Sequence, residues 1–241
     1  MKALVFAAGR GERMRPLTDA TPKPLLHAGG KPLMAWHLER LAAIGIRDVV
    51  VNTSWLAAQF PATLGDGAHW GLRIHYAFEG AAPLETGGGM LNALPLLGDA
   101  PFLLVNGDVW SDFDFARLPR EPAGLAHLVL VDRPAHAAHG DFALDERGFV
   151  RGDGPRKLTY SGIGVYRPQL LEGWREAVGE VDTSEGKPKF RLAPILRARM
   201  AADAVTGERH RGKWTDVGTP ERLARLDAEL RDAEAAPGHR A

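Results

Sequence analysis

Short aliphatic segments alternate with longer amphipathic segments through the first half of the chain. Buried strands are predicted by the apolar runs at 3–8, 47–53, 72–79 and 101–108. Helices are predicted between them by 3.6-residue periodicity at 32–45, 54–64 and 88–97, the first ending at Gly45. Because strands and helices alternate, we expect a largely parallel sheet with right-handed crossovers and helices on both faces.

The pattern changes after residue 125, where strands follow one another with little helix between them. Strands at 126–132 and 158–166 flank the polar segment GDFALDERGFVRGDG, which is typical of a hairpin. Further helices are predicted at 168–178, 190–203 and 219–235. No Pro/Gly/Ser linker divides the chain. The sequence therefore predicts one Rossmann-like α/β domain over 1–232, with a mixed, mostly parallel sheet, and a disordered tail over 233–241.

Composition excludes several kinds of partner and chemistry. The 241 residues include 30 basic and 30 acidic residues, so no net charge favours nucleic acid or an anionic membrane. Cysteine is absent, which excludes disulfides and thiol catalysis and agrees with a reducing compartment. No apolar stretch has the length of a membrane span. We therefore expect a monomeric cytoplasmic protein that binds neither nucleic acid nor membrane.

A basic, glycine-rich segment, FAAGRGERMRPLTDATPKPLL, follows the first predicted strand. Gly9 and Gly11 would let backbone N–H groups approach an anion, and the arginines that follow would neutralise it. Lys23 is held between two prolines, which keep its segment extended. A P-loop is excluded because no Gly-Lys-Ser/Thr occurs, and the dinucleotide fingerprint fails because Met14 replaces its third glycine. The alternatives are a phosphate-binding loop and a surface turn with solvated arginines.

Two aspartates far apart in the sequence are candidate metal ligands. Asp108 ends the apolar strand LLVNGD, at the same sheet edge as the glycine-rich loop, and Asp216 precedes the helix start GTPERL. A divalent cation such as Mg²⁺ takes one or two carboxylates and completes its shell with water and phosphate oxygens. Alternatively, each aspartate could simply bond to a nearby backbone N–H group in a turn.

Four motifs together resemble the sugar-1-phosphate nucleotidylyltransferases: AAGRGERMRPLTDATPKPL, LETGGG, NGD and WTDVGTPERL. The resemblance extends from residue 1 to about 230, and the sequence Gly-Glu-Arg-Met is similar to the branch that acts on N-acetylmuramate 1-phosphate in cell-wall recycling. One motif of the wider family, Glu-Lys-Pro before the strand SGIGVY, is replaced by GPRKLTYSG. The usual sugar-phosphate contacts of that motif are therefore in doubt.

This resemblance implies that UTP and a sugar 1-phosphate give a UDP-sugar and pyrophosphate. It implies Mg²⁺ bound by Asp108 and Asp216, pyrophosphate contacts from Arg13, and Lys23 beside the α-phosphate. The nucleotide-binding set that it implies is Ala8, Gly9, Gly11, Glu12, Arg13, Lys23 and Gly87, the last facing the nucleobase. The implied sugar-phosphate contacts are Asn106, Gly140, Asp141 and Ser161.

The sugar could be recognised by cationic side chains in the segment that replaces Glu-Lys-Pro. N-acetylmuramate carries a lactyl ether with a carboxylate, for which Arg156 or Lys157 could supply a cation, although both could equally be solvated turn residues. A mannose-1-phosphate guanylyltransferase, which would use GTP, is one alternative function. A regulatory protein that binds nucleotide without catalysis is another, although Asp108, Asp216, Arg13 and Lys23 are all present.

Overall fold

The computed structural model describes residues 1–183 and 186–235. Its strands are β1 (Lys2–Phe6), β2 (His27–Ala28), β3 (Lys31–Pro32), β4 (Asp48–Thr53), β5 (Arg73–Phe78), β6 (Phe102–Asn106), β7 (Val109–Ser111), β8 (Ala126–Val131), β9 (Phe142–Leu144), β10 (Val150–Arg151), β11 (Lys157–Tyr166), β12 (Val205–Arg209) and β13 (Trp214–Asp216). Its α-helices are α1 (Leu17–Ala20), α2 (Ala35–Ala43), α3 (Gln59–Leu64), α4 (Glu85–Leu97), α5 (Trp174–Val178), α6 (Ala193–Ala201) and α7 (Pro220–Ala235). Single 3₁₀ turns occur at Glu12–Met14, Lys23–Leu25, Ala68–Trp70, Phe115–Arg117 and Pro168–Leu171.

One large mixed sheet organises the chain, in the order β5-β4-β1-β6-β11-β8-β12. Strands β5, β4, β1 and β6 are parallel. Strand β11 runs antiparallel to both β6 and β8, and β12 is parallel to β8. The predicted hairpin is β9–β10, and β9 pairs with the first residues of β11. The expected mixed α/β sheet in a single domain is confirmed.

Hydrophobic side chains fill both faces of the sheet because successive strand residues point to opposite sides. On one face, Leu4, Val50 and Leu104 pack with helices α4, α5 and α6. On the other face, Val5, Val51 and the neighbouring strand residues pack with helices α2 and α3. Both cores are therefore covered by helices, as the sequence pattern predicts.

A third, smaller cluster lies under helix α7. Leu223, Leu226 and Leu230 of α7 pack with Met14 of the glycine-rich segment and with Trp110 of β7. The amphipathic pattern of α7 is thus confirmed, and this helix ties the glycine-rich segment to the short β7–β13 ladder. The same cluster packs helix α7 against the segment that contains strands β2 and β3, through Leu26, Ala28 and Leu33.

Several boundaries differ from those predicted. Only Gln59–Leu64 of the 54–64 segment is helical, since Leu56 has a positive φ of 51°. The predicted helix at 168–178 is interrupted by Gly173, whose φ is 62°. Helix α7 continues to Ala235, so the first three residues of the predicted tail are helical, and 236–241 lie outside the described residues. Among the residues that the structure describes, no helix is long and apolar enough to cross a membrane.

Candidate active site

The candidate site lies at the carboxyl edge of the two neighbouring strands β1 and β6. Phe6 pairs with Asn106, so the loops that follow these residues start side by side. The Gly107 amide donates to the Phe6 carbonyl over 2.8 Å, and a Cβ on Gly107 would lie 2.8 Å from that oxygen. Glycine is therefore needed for the two loops to approach each other.

These loops border a cavity of about 320 Å³. Its lining includes Ala8, Gly9, Gly11, Lys23, Asn106 and Asp108 from the predicted site, together with Asn52, Glu79, Glu85 and Thr86. A groove shares Gly11, Lys23 and Pro83 with this cavity and continues along Arg10, Glu12 and Arg13 to Gly218. The structure thus brings most of the predicted nucleotide contacts together along one continuous surface.

The two glycines of the loop have different structural roles. Gly11 has a φ of 65°, and a Cβ there would lie 2.9 Å from the Thr18 methyl group. Its carbonyl accepts a hydrogen bond from the Thr18 hydroxyl at 2.9 Å. Gly9 has no atom within 4 Å of its would-be Cβ. Gly11 is thus required by the fold of the loop, whereas the space beside Gly9 is open to a ligand.

Lys23 bridges the glycine-rich segment and the end of β6. It opens the 3₁₀ turn Lys23–Leu25 between Pro22 and Pro24, and only 11% of its side chain is exposed. Its ammonium donates to Asp108 Oδ2 over 2.6 Å. A lysine fixed in this way presents one positive charge between the loop and the carboxylate.

Asp108 and Asp216 are brought together by backbone pairing. Strands β7 and β13 are antiparallel, with Asp216 opposite Val109, and the Val217 amide donates to the Asp108 carbonyl over 2.8 Å. Asp216 Oδ1 accepts from Arg222 Nη1 at 2.5 Å and lies 3.0 Å from His136 Nε2. The ladder therefore joins the backbones of two aspartates separated by more than 100 residues of sequence.

These two carboxylates fit a hard divalent cation. Carboxylate oxygens are the ligands that Mg²⁺ takes from proteins, and one or two of them are enough when phosphate and water complete the shell. Within 1–183 and 186–235, no group of three or more His, Cys, Asp or Glu side chains is arranged to hold a metal. The donor set thus suits a cation that arrives with phosphate groups more than a permanently bound structural ion.

A buried hydrogen-bond network supports the floor of the cavity. Asn52, at the end of β4, accepts from the Ala7 amide at 2.6 Å and donates to Glu79 Oε1 at 2.6 Å. Glu79 Oε2 accepts from the Leu84 amide at 2.7 Å. Burial raises the pKa of Glu79, although these hydrogen bonds act in the opposite direction. The network connects the glycine-rich loop to the start of α4.

Asn52 and Glu79 were not among the predicted site residues, although their positions in the sequence could have indicated them. Both are polar residues at the ends of apolar strands, the same feature that marks Asp108. Gly89 admits them beneath α4, because a Cβ there would lie 2.5 Å from Glu79 Oε1 and 2.9 Å from Asn52 Nδ2. The glycines of LETGGG therefore have packing roles.

Gly87 lies elsewhere than expected. Its amide and that of Gly88 both donate to the Phe190 carbonyl, at 2.9 and 3.0 Å. A Cβ on Gly87 would lie 2.5 Å from the Phe190 ring. The residues of this segment that line the cavity are Glu85 and Thr86. The amides at the start of α4 are therefore occupied by protein, which corrects the expectation that Gly87 faces the nucleobase.

His37 supports the strand that follows Asp108. Its ring is fully buried, its Nε2 lies 2.8 Å from the Val109 carbonyl, and it stacks on Phe115. Burial lowers the pKa of His37 to about 4. Since a carbonyl only accepts hydrogen bonds, Nε2 carries the proton, and Nδ1 has no partner within the described structure.

On the sugar side, only Asn106 of the four predicted contacts lines the cavity. The Ser161 hydroxyl is buried, donates to the Val129 carbonyl at 2.7 Å and accepts from the Ile163 amide at 3.2 Å. Asp141 Oδ2 accepts from the Tyr160 amide at 2.9 Å, and Gly140 packs against the Lys157 backbone. The structure therefore corrects the expectation for Ser161, because its hydroxyl is used within the sheet.

The two candidate cations for a lactyl carboxylate already have acidic partners. Arg156 Nη2 lies 3.2 Å from Asp132 Oδ1, and Lys157 Nζ lies 3.0 Å from Asp153 Oδ1. In both pairs the aspartate side chain is largely exposed to solvent. An additional anion would therefore compete with an existing ion pair at either position.

Comparisons with known proteins point to one family. The profile of the family described as nucleotidyl transferase matches residues 2–233. The chain is 47% identical to the N-acetylmuramate alpha-1-phosphate uridylyltransferase of Neisseria meningitidis serogroup B, over 95% of this chain and 97% of that one. It is 34% identical to the Caulobacter vibrioides protein of the same name, over 97% of each chain. The mannose-1-phosphate guanylyltransferase of Mycobacterium tuberculosis is also 34% identical, but this chain covers only 64% of it.

A solved structure gives the fold independently. The structure of a Bacillus anthracis protein, provisionally assigned as a glucose-1-phosphate thymidylyltransferase, superposes with a TM-score of 0.83 over 96% of each chain at 21% identity. The profile match over nearly the whole chain, the extensive identity to two uridylyltransferases and the site at the edge of β1 and β6 lead to one conclusion. This chain belongs to the nucleotidyl transferase family.

Proposed function

We propose that the protein transfers a uridylyl group from UTP to N-acetylmuramate 1-phosphate and releases pyrophosphate. The observation that carries this proposal is the β7–β13 ladder, which brings the backbones of Asp108 and Asp216 together beside Lys23, whose ammonium bonds to Asp108. The choice of substrates is supported by the 47% identity to the Neisseria meningitidis uridylyltransferase over nearly the full length of both chains.

The reaction needs positioning and charge neutralisation more than acid–base catalysis. An oxygen of the sugar 1-phosphate is already ionised at neutral pH, so it can attack the α-phosphorus of UTP without a general base. The new bond joins that oxygen to the α-phosphorus, and the bond from the α-phosphorus to the oxygen bridging to the β-phosphorus breaks. The electron pair leaves with pyrophosphate. Protein groups must hold the attacking oxygen, the α-phosphorus and the leaving oxygen in line, and they must neutralise the negative charge of the phosphates.

The two adjoining openings at the site suit the two parts of the nucleotide. The nucleoside would occupy the cavity between Gly9, Asn52 and Thr86, and the β- and γ-phosphates would lie in the groove along Arg13. Arg13 would bind pyrophosphate oxygens through its planar guanidinium. Lys23 lines both openings and would contact the α-phosphate between them. The backbone N–H groups of the Gly9–Glu12 segment would donate further hydrogen bonds to the phosphate oxygens.

Asp108 and Asp216 would hold a divalent cation such as Mg²⁺, which would neutralise charge where the two substrates' phosphates meet. The Lys23 ammonium bonds to Asp108, and the Arg222 guanidinium bonds to Asp216. Asn106, next to Asp108 in the chain, lines the same cavity and would contact the sugar phosphate.

Two alternatives make different predictions. A mannose-1-phosphate guanylyltransferase would prefer GTP and mannose 1-phosphate, and one such enzyme shares 34% identity with this chain. A regulatory protein would bind a nucleotide without turnover, but it would have no need to retain the paired Asp108 and Asp216. The backbone pairing beside Asp108 and Asp216, together with the bond from Lys23 to Asp108, favours catalysis.

A pyrophosphate-release assay of UTP, GTP, dTTP and ATP against a panel of sugar 1-phosphates tests the proposal. The highest kcat/KM is expected for UTP with N-acetylmuramate 1-phosphate, because a wrong base leaves polar groups unpaired at about 1–3 kcal/mol each. Equal or faster turnover with GTP and mannose 1-phosphate would reject the proposed substrates. Absence of pyrophosphate with every pair, while UTP binding persists, would favour the regulatory alternative.

A further inference from the structure

A second groove lies on the far side of Asp216, between the segment 134–136, strand β13 and helix α7. It has a volume of about 540 Å³. Its apolar lining includes Pro134, Trp214 and Leu226, and its charged lining includes Lys213, Arg222 and Arg225. Arg222, which lines this groove, also lies against Gly218 of the groove along Arg13, so the two grooves adjoin at Arg222.

The charges of this groove do not balance. Asp216 accepts from Arg222 at 2.5 Å, and Glu229 accepts from Arg225 at 2.9 Å, so each carboxylate that lines the groove has its own guanidinium. Lys213 has no carboxylate within 4.0 Å of its ammonium in the part of the chain that the structure describes. The groove therefore has one positive charge in excess, which matches a single additional anionic group.

Lys213 and the adjacent Trp214 are held in place by hydrogen bonds to residues distant in the sequence. The Lys213 carbonyl accepts from the Asp112 amide at 3.1 Å and from the Ser111 hydroxyl at 3.0 Å. The Trp214 indole donates to the Ser161 carbonyl at 2.8 Å. The backbone of Lys213 is therefore fixed by hydrogen bonds to residues 111 and 112, and the neighbouring Trp214 indole is fixed by a hydrogen bond to β11. Such a pair suits a ligand that combines an apolar group with a carboxylate.

We propose that this groove binds the carboxylate-bearing side chain of an acidic hexosamine 1-phosphate, with Lys213 binding the carboxylate. This inference rests on the proposed function, because a sugar whose 1-phosphate lies at Asp216 would extend its ring along the groove. In N-acetylmuramate the lactyl ether carries one carboxylate and one methyl group. Lys213 would bind the carboxylate, and Trp214 and Leu226 would contact the methyl group. The sequence had suggested Arg156 or Lys157, but Lys157 is already paired with Asp153, and Arg156 lies beside Asp132, which Arg209 also contacts.

The test compares two substrates that differ only in the lactyl ether. For Lys213→Met, the ratio of kcat/KM for N-acetylmuramate 1-phosphate to that for N-acetylglucosamine 1-phosphate should fall about tenfold, as expected for one charge-assisted contact in an open groove. Lys213→Arg should restore most of the ratio because it keeps the charge. The melting temperature and the KM for UTP of both variants report whether the fold and the nucleotide site persist.

Lys157→Met is the matched comparison, since it removes a neutralised lysine from the segment that the sequence favoured. Loss of selectivity in Lys157→Met with retention in Lys213→Met would overturn the assignment of Lys213. Retention in both would also overturn it, provided that the wild-type enzyme prefers N-acetylmuramate 1-phosphate. A wild-type enzyme without that preference would instead reject the proposed substrate, and the inference with it. A tenfold fall confined to Lys213→Met would support the groove as the carboxylate site.

Discussion

The parallel strands β4, β5, β1 and β6 and the antiparallel strands around β11 use their polar residues differently. At the ends of the parallel strands, Asn52, Glu79 and Asn106 line the cavity. In the antiparallel region, the Ser161 hydroxyl bonds to the Val129 carbonyl, and the hydroxyls of Tyr160 and Tyr166 bond to each other at 2.7 Å. In the first region these polar residues thus border the cavity, with Asn52 and Glu79 bonded to each other and to backbone amides beneath it, whereas in the second region they stabilise the sheet.

This difference follows from strand direction. Parallel strands bring all their carboxyl ends to one edge, so residues just beyond them converge on one place. The antiparallel strand β11 crosses the sheet in the opposite direction, and its bulge between Tyr160 and Ile163 needs side-chain partners for backbone groups. The nucleotide is therefore expected to contact strand ends, while the sugar is expected to be selected by loops, including the one that carries Lys213.

The largest loss of activity is expected from substitution of Asp108 or Asp216. Asp108→Asn and Asp216→Asn should each lower kcat on the order of 10³-fold, because a neutral amide binds a divalent cation poorly. The melting temperature should change little, since both carboxylates are partly exposed. Asp112→Asn, which removes a carboxylate bonded to His210 on the same stretch of chain, is the control and should keep near wild-type kcat. Wild-type turnover by either of the first two variants would remove that residue from the proposed site.

The next effect is a pH dependence of stability. The pKa of His37 is about 4 in the folded state, against about 6.5 when unfolded, so the unfolded chain binds more protons between these values. Stability should therefore fall as the pH drops from about 6.5 to 4, by about 3 kcal/mol from this group alone. Denaturant titrations at several pH values would measure the slope.

His37→Gln keeps an amide donor for Val109 and should lose most of that slope. His127, in the antiparallel region, is the comparison, since burial also lowers its pKa while Glu208 offsets part of this effect. Its glutamine variant should retain most of the acid sensitivity. The same slope in wild type and His37→Gln would contradict the assignment to His37.

The two loop glycines should separate folding from binding. Gly11→Ala forces a left-handed φ and a contact with Thr18, so it should cost about 1–3 kcal/mol of stability and reduce activity as well. Gly9→Ala meets no atom within 4 Å and should leave stability almost unchanged. Its methyl group should raise the KM for UTP, because Gly9 lines the cavity. A Gly9→Ala variant with wild-type KM would show that the nucleotide does not pass close to this residue.

The smallest effect concerns the antiparallel region. Ser161→Ala removes two buried hydrogen bonds and should cost about 1 kcal/mol of stability. Its KM for the sugar phosphate should stay within about twofold of wild type, since the hydroxyl is enclosed in the sheet. A large rise in that KM without loss of stability would place Ser161 at the sugar after all.

Sequence patterns identify the parts of this molecule that are local. The parallel strands are contiguous apolar runs, and the glycine-rich segment with Lys23 is a contiguous motif, so both are predictable. Asp108 could be placed because it directly follows a strand of that kind. Asp216 could be named as a candidate because it precedes a helix start, but no local pattern links it to Asp108, and only the family resemblance assigns the two to one metal ion.

The unpredicted parts depend on distant partners. Strands β7 and β13 have three residues each and exist because they pair across 100 residues of sequence. Strand β12 reads VTGER, too polar to be recognised as a strand without its neighbour β8. Likewise, Gly87 cannot be assigned from its own segment, because Phe190 occupies the space beside it.

The central claim is that Asp108 and Asp216 form one site for transfer at the α-phosphorus of UTP. Phosphorus NMR of wild-type protein with UTP, N-acetylmuramate 1-phosphate and Mg²⁺ tests it most directly. We expect pyrophosphate and a UDP-sugar to appear in equal amounts, and neither to appear at a comparable rate with the Asp108→Asn/Asp216→Asn double variant. Release of orthophosphate, or pyrophosphate formation at the wild-type rate by the double variant, would contradict the account.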